Sequence, residues 1–243
     1  MSGHNKWSKI KNKKGKEDAK RAKEFTKLGR AIMVAAKDGG DNPDYNAALK
    51  TAIDKAKAIN MPNDNINRAI KKGSSGLDGA NFEEVTYEGY GPSGTALIVV
   101  GLTDNRNRTA PEVRHLFDKF GGNLGTSGSV SFMFDHIGII LLDANKYNFD
   151  EIMEFALEAN IKDIIEEDGI IEIQTEISEF NNVKNHILNG GYEILDSDII
   201  YLAQNFVNVE NQEDISKLEK LIDSLEENDD VQNVYHNWEM NDE

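Results

Sequence analysis

The residues with the clearest chemistry are cations crowded near the amino terminus. Residues 6–30 carry eleven lysines and arginines, a density that can neutralise several phosphates and release their counterions. A charge run is more often a solubilising tail, but here we expect polyanion binding, because the rest of the chain would repel a polyanion. The eleven cations are Lys6, Lys9, Lys11, Lys13, Lys14, Lys16, Lys20, Arg21, Lys23, Lys27 and Arg30.

The net charge of −16 is distributed unevenly along the chain. Residues 1–72 contain 18 lysines and arginines against 8 acidic residues, a net charge of +10. Residues 73–243 contain 9 against 35, a net charge of −26. The two parts therefore face different partners, and nucleic acid fits only the first.

Three other residues of the amino-terminal region join the predicted nucleic-acid-binding set: His4, Trp7 and Arg68. Trp7 could stack on a base or fill a groove between helices, and the sequence favours neither alternative. No apolar period is present in residues 1–16, so we expect a mobile arm in the free protein.

A second candidate contact lies between a predicted strand and a predicted helix. Thr109, with Glu112 three residues later, has the pattern of a helix-capping box, and Pro111 fits the first turn. The connecting loop then contains Asn105, Arg106, Asn107 and Arg108. Arginine forks suit phosphates or base edges, so we expect this loop to touch nucleic acid.

Two glycine-rich segments resemble binding loops but favour simpler interpretations. Residues 121–129 lead from a helix into a strand and lack a following Lys-Ser, so a turn and helix C-cap are favoured over a phosphate loop. Residues 87–94 fit a strand end and hairpin turn, with base stacking left open as an additional role.

Several classes of function are excluded or disfavoured. The chain has no cysteine, and its five histidines show no metal-ligand spacing, so we expect no enzyme activity, no metal and no cofactor. No apolar run reaches the roughly eighteen residues of a membrane span. No signal-peptide core follows the basic amino terminus, so we expect a cytoplasmic protein without membrane contact.

The predicted elements place the basic residues on helices. From residue 17 to 37, Phe25, Leu28 and Ile32 recur at helical steps, and Lys20, Lys23, Lys27 and Arg30 cluster roughly 150° away. Further helices are predicted over residues 45–59 and from Pro62 to Gly73. Residues 17–72 should thus form a three-helix unit whose first helix has one apolar and one basic face.

Residues 73–79 are small and polar, and we place a domain boundary there. Residues 137–202 show the order βαββαβ, with a hairpin at Asp168-Gly169. The flanking strands, including one predicted over residues 129–134 and a weak one at 206–209, would make a second such set. The predicted domains are 1–78 (basic and helical), 79–135 plus 205–243 (middle), and 136–204 (inserted), giving an α+β protein with two ferredoxin-like domains.

Nine segments carry a resemblance to a known family. They are Gly3-His-Asn-Lys-Trp-Ser-Lys-Ile-Lys, Phe25-Thr-Lys-Leu, Asn60-Met-Pro, Ile66-Asn-Arg-Ala-Ile, Tyr87-Glu-Gly-Tyr-Gly-Pro, Asp104-Asn-Arg-Asn-Arg-Thr, Glu112-Val-Arg-His, Gly121-Gly-Asn-Leu-Gly and Asp230-Val-Gln-Asn-Val-Tyr-His-Asn. With these, the chain resembles the YebC/PmpR family nearly end to end. The resemblance implies a helical domain followed by two α/β domains, one inserted in the other, and no catalysis.

The family is described in two ways, as DNA-binding transcriptional regulators and as translation factors that help ribosomes through proline-rich sequences. A mitochondrial relative activates translation of a cytochrome oxidase subunit. The inserted domain departs from the family pattern, because it is rich in Asn, Ile and acidic residues and offers little to a nucleic acid.

We therefore expect a non-enzymatic cytoplasmic regulator of gene expression that binds nucleic acid, as a DNA-binding transcriptional regulator. One alternative is a ribosome-binding translation factor that contacts ribosomal RNA. An alternative of another class is a small-molecule-sensing or protein-interaction module, since ferredoxin-like pairs often have such roles. We expect a monomer or a weak homodimer.

Overall fold

A computed structural model describes residues 18–75 and 82–240, with side chains from residue 22 onward in the first range. None of the described helices is long and apolar enough to cross a membrane. Along the chain the elements are α1 (Asp18–Gly39), α2 (Ala47–Ala58), α3 (Asn63–Ser75), β1 (Glu83–Tyr90), β2 (Ala96–Thr103), α4 (Arg106–Lys119), β3 (Asn123–Leu124), β4 (Phe134–Asp143), α5 (Phe149–Leu157), β5 (Asp163–Glu167), β6 (Ile170–Thr175), α6 (Phe180–Asn189), β7 (Asp196–Ala203), β8 (Val207–Asn208), α7 (Gln212–Glu227), β9 (Val231–His236) and β10 (Trp238–Glu239).

The described chain divides into two compact units. The first unit contains the three amino-terminal helices, the segment up to residue 130 and residues 209–236. The second unit contains residues 131–208 and the strand that follows residue 236. Each unit has its own four-stranded sheet.

The three amino-terminal helices close on an apolar core. Ile32 of α1, Leu49 of α2 and Ile66 of α3 are among its buried members. This stripe matches the helical period in the sequence, because residues three and four apart share one helix face. The three predicted helices are therefore present, and the side of α1 that carries its lysines faces away from this core.

Two local features fix the angles between these helices. Asn46 caps α2 by accepting from the Leu49 N–H, and its amide donates to the carbonyls of Ala35 and Gly40. Gly73 lies where α3 crosses α1, and a Cβ at that position would overlap the Met33 carbonyl oxygen. The close α1–α3 crossing therefore requires glycine at residue 73.

The sheet of the first unit has the order β3-β1-β2-β9, with antiparallel neighbours. Helices α4 and α7 cover one face. Phe117 of α4 lies against Gly89, and Leu218 of α7 lies against Gly91, and both side chains are fully buried. This is the strand order of a ferredoxin-like domain.

The strands that build this sheet differ from the predicted ones. The position between β3 and β2 is occupied by β1, because all eight residues of β1 pair with β2 across a tight turn. The edge position next to β1 belongs to β3, whereas residues 131–133 form a 3₁₀ turn rather than a strand. The weak strand predicted at 206–209 is β8, which pairs in parallel with β10 in a separate two-stranded sheet.

The second unit has the predicted βαββαβ order, and its strands are arranged β5-β6-β4-β7. Asp168 and Gly169 both have positive φ, at 51° and 78°, as a two-residue hairpin between β5 and β6 requires. The core consists of apolar residues from β4, β6, α5 and α6, including Ile140, Ile152 and Ile173, which are fully buried. The predicted α+β fold class is confirmed.

Candidate nucleic-acid interface

On the side of α1 that faces away from the helical core, two lysines and an arginine contact the carboxyl end of α7 and the residues that follow it. Residues 23, 27 and 30 lie one to two turns apart on a single helix face. Their hydrogen bonds are Lys23 Nζ to Glu227 O at 3.2 Å, Lys27 Nζ to Glu226 O at 2.7 Å, and Arg30 Nη1 to Asp229 O at 2.5 Å. We call these three residues the α1 basic face.

The contact has an electrostatic explanation. The last carbonyls of a helix lack intrahelical partners and carry partial negative charge, which nearby cations stabilise. Helix α7 has no basic residue in its own last turn. The α1 basic face therefore supplies the cations that complement this helix end.

Asp230, which follows α7 and immediately precedes β9, is the most connected charged side chain of the interface. It is 3% exposed. Its Oδ1 accepts from Arg30 Nη1 at 2.9 Å, and its Oδ2 accepts from Arg108 Nη2 at 2.6 Å. Oδ2 also accepts from the hydroxyls of Thr109 at 2.7 Å and Thr103 at 3.3 Å. One carboxylate thus joins α1, α4 and the end of β2.

These contacts set the protonation of Asp230. Burial by itself would raise the pKa of the carboxyl, because it disfavours the charged form. Hydrogen bonds from Arg108 and Thr109, with the charges of Arg108 and Arg30, outweigh burial and hold the pKa below its ordinary value. Asp230 is therefore an anion across the neutral pH range.

The segment predicted as a loop begins α4 instead. Asn105 is the N-cap and its side chain accepts from the Arg108 N–H at 3.2 Å, so the helix starts at Arg106. The prediction of Thr109 as N-cap is wrong, because its hydroxyl is buried against Asp230 rather than capping a backbone N–H. Pro111 consequently lies inside the helix, beyond its first turn.

The arginines of this segment are paired but accessible. Arg106 Nε lies 2.9 Å from Glu83 Oε1, and Arg108 Nη2 lies 2.9 Å from Asp104 Oδ1. Their side chains remain 59% and 44% exposed, and Asn107 is exposed. Each arginine can therefore still present part of its fork to an anion in solvent.

Helix α3 presents a second set of exposed cations. Arg68, Lys71 and Lys72 are exposed and lie at i, i+3 and i+4 on one side of α3, while Ile66 and Ala69 on the other side are buried. We call Arg68, Lys71 and Lys72 the α3 basic face. The sequence prediction included Arg68 only, and the same helical spacing could have identified the two lysines.

The remaining predicted residues cannot be compared with this geometry. His4, Lys6, Trp7, Lys9, Lys11, Lys13, Lys14 and Lys16 lie outside the described residues, and the side chains of Lys20 and Arg21 do as well. Their contact with nucleic acid stays a prediction.

Both glycine-rich segments form turns. Gly121 follows α4 with φ 80°, as a helix C-cap requires. The buried Glu88 carboxylate accepts from the backbone N–H groups of Gly128 and Val130, each at 2.8 Å. An acidic side chain thus takes donors that a phosphate would need. At the other segment, β1 ends at Tyr90, whose hydroxyl donates to Ser129 O, and a turn follows at residues 92–94.

Comparison with known proteins gives one consistent result. Residues 5–76 match the TACO1/YebC protein N-terminal domain, and residues 82–238 match the TACO1/YebC second and third domain. A "probable transcriptional regulatory protein" of Finegoldia magna is 56% identical over 239 residues, covering 98% of this chain and 99% of that protein. Another so named, from Thermoanaerobacter pseudethanolicus, is 55% identical over 244 residues, covering 100% of this chain and 99% of that one.

A solved structure agrees with the fold. The crystal structure of a conserved hypothetical protein from Aquifex aeolicus superposes with a TM-score of 0.80 at 45% sequence identity, covering 93% of each chain. The resemblance drawn from the nine sequence segments is confirmed, and this chain belongs to the TACO1/YebC family.

Proposed function

We propose that this protein is a non-enzymatic, cytoplasmic regulator of gene expression that acts by binding the backbone of duplex DNA. The relatives from Finegoldia magna and Thermoanaerobacter pseudethanolicus, named as probable transcriptional regulatory proteins, support the regulatory role. The nucleic-acid ligand rests on the charge and geometry of this chain.

The observation that carries the proposal is the segregation of charge. Residues 1–72 have 18 lysines and arginines against 8 acidic residues, while the rest of the chain has 9 against 35. A polyanion is attracted by the first part and repelled by the second, so the cations both bind it and orient the protein on it. A protein with evenly distributed acidic charge would have no preferred orientation on a polyanion.

The described residues suggest how phosphates are held. The three residues of the α3 basic face are exposed. Arg106 and Arg108 stand in the first turn of α4, which contains no acidic residue, so the positive end of the helix adds to their charge. Together with the amino-terminal cations, these groups would grip backbone oxygens and leave the base sequence unread.

Structured ribosomal RNA is the second candidate ligand. The cations that we assign to the interface lie on α1, α3 and α4 rather than along one helix with base-edge side chains that could enter a major groove. A grip of this kind suits shape recognition of RNA as well as duplex DNA. The test therefore compares the two ligands directly.

The test is fluorescence anisotropy of the full chain with a labelled 25-base-pair DNA duplex and with a structured ribosomal RNA fragment. The variant Arg68→Gln/Lys71→Gln/Lys72→Gln removes the α3 basic face. We expect binding to DNA to weaken at least tenfold and the slope of log affinity against log salt to fall by about 2.7, or about 0.9 for each lost phosphate contact.

The matched control Lys119→Gln/Lys162→Gln/Lys220→Gln removes the same charge from exposed lysines of the acidic part, and we expect less than a twofold change. Equal weakening in both variants, or affinity that is flat between 50 and 200 mM salt, would rule out a phosphate grip. Tighter binding of RNA than of DNA at equal salt would assign the ligand to the ribosome. A ligand-sensing module would bind neither.

A further inference from the structure

The α1 basic face has two prospective partners. In the structure Lys23 and Lys27 donate to the last carbonyls of α7, and Arg30 donates to the carbonyl of Asp229 just beyond it, at distances between 2.5 and 3.2 Å. In the proposed function the same cations hold phosphates. Arg30 decides whether both can happen together. Its side chain is 18% exposed, with its guanidinium 2.9 Å from Asp230 and 5.3 Å from the centre of the Phe82 ring. While these contacts persist, the N–H groups of Arg30 Nη1 are taken by Asp229 and Asp230 and cannot donate to a phosphate.

We propose that the carboxyl end of α7 competes with the nucleic-acid backbone for the α1 basic face, so that nucleic-acid binding separates α1 from α7. This inference rests on the proposed function and adds a conformational change to it. The free protein keeps Arg30 covered, and the bound protein exposes it.

The competitor resembles the ligand it displaces. Four of the five residues from 226 to 230 are acidic: Glu226, Glu227, Asp229 and Asp230. Lys23 and Lys27 nevertheless donate to neutral backbone carbonyls, those of Glu227 and Glu226. In a hydrogen bond from lysine to a carbonyl only the donor carries a full charge, whereas a phosphate adds the attraction between two opposite charges, so a phosphate is a better acceptor for these lysines. Several phosphates acting together can therefore replace the helix end.

Separation does not leave a buried charge without a partner. When Arg30 leaves, Asp230 keeps its hydrogen bonds to Arg108 and to the hydroxyl of Thr109. The released carbonyls lie at a helix end, where water can hydrate them. A buried anion with one cation would resist opening, whereas an anion with two can release one of them.

The test uses the absence of cysteine from the chain. Ala48→Cys on α2 and Lys220→Cys on α7 place two exposed, uniquely reactive thiols on the two parts that should separate. A donor and an acceptor dye on these thiols report the distance by energy transfer, and anisotropy on the same sample reports DNA binding. We expect transfer to fall when a saturating 25-base-pair duplex is added, and to return at high salt.

A second variant changes the competitor without touching α1. Glu226→Gln/Glu227→Gln removes two negative charges beside the α1 basic face, and we expect DNA to bind about threefold tighter, because less of the protein must be opened. The control Glu213→Gln/Glu219→Gln removes the same charge elsewhere on α7 and should give a smaller gain.

DNA binding with unchanged energy transfer, or equal gains in the two glutamine variants, would overturn the competition while leaving the proposed function intact. Failure of every nucleic acid to bind would overturn the proposed function, and the competition with it.

Discussion

The two ferredoxin-like units of this protein differ in the interactions that stabilise each of them internally. The sheet of the second unit comes from one continuous stretch, β4 to β7, and a large cluster of buried apolar residues joins it to helices α5 and α6. The sheet of the first unit combines β1–β3 with the distant β9, and Asp230, which immediately precedes β9, binds side chains from α1 and α4. In the second unit, packing is spread over many residues. In the first unit, a single carboxylate links three elements. A substitution should therefore stay local in the second unit and spread between elements in the first.

The largest effect is expected in the apolar core of the second unit. Ile140→Ala removes a fully buried side chain in the middle of β4 and should lower the free energy of unfolding by about 3.5 kcal/mol, from lost burial and the cavity left behind. Urea denaturation measures the loss. Leu157→Ala, at a side chain that is 63% exposed, should cost under about 0.5 kcal/mol. Weaker DNA binding by the Ile140 variant would contradict the idea that its effect is local.

Asp230→Ala is the corresponding change in the first unit. It leaves Arg30, Arg108 and the Thr109 hydroxyl without their shared acceptor and should cost about 3 kcal/mol. Unlike Ile140→Ala, it should raise amide hydrogen exchange in both α1 and α4. The exposed Asp223→Ala on α7 is the control, with little expected change. Faster exchange confined to β9 would show that the carboxylate does not link the helices.

Acid should weaken the first unit through the same carboxyl. Because the pKa of Asp230 is lower in the folded protein than its ordinary value of 3.8, its stabilisation is fully present above about pH 4 and is lost as pH falls through the folded pKa. The stability difference between wild type and Asp230→Asn should thus be constant from pH 5 to 8 and shrink below pH 4. Denaturation at each pH measures it. A difference that grows in acid would mean that the carboxyl is protonated in the folded protein.

The smallest expected effect is at the helix start that the sequence misplaced. Asn105→Ala removes the cap of α4 and should cost about 1 kcal/mol. Asn107→Ala changes an exposed residue two positions further along the chain. It should lower the free energy of unfolding by no more than a few tenths of a kcal/mol, which makes it a matched control for urea denaturation. Equal losses of stability in the two variants would show that Asn105 is not the N-cap of α4.

Local features of the fold could be predicted from sequence. The apolar stripe of α1 and the Asp168-Gly169 hairpin each depend on residues within a few positions of one another. The partner of a strand is a different matter. The apolar pattern of residues 206–209 identified a strand, but its pairing with β10 rather than with the large sheet depends on contacts about thirty residues away along the chain.

The candidate site divides in the same way. The density of lysine and arginine identified the basic segment, because charge is visible residue by residue. The occupation of Arg30 by Asp230 was not predictable, since 200 residues separate the two in sequence. The start of α4 was missed because Asn105 and Thr109 are both good N-cap residues, and only the buried position of Thr109 beside Asp230 decides between them.

The shared position of Asp230 also limits how this protein can change by mutation. Exchanging Arg30 and Asp230 would restore their ion pair but would set an arginine at position 230 against Arg108, whose Nη2 now lies 2.6 Å from the carboxylate. No single compensating substitution can therefore suppress a charge reversal at residue 230. Genetic suppressors should appear in pairs, at positions 30 and 108 together. Residues 30, 108 and 230 should therefore change together.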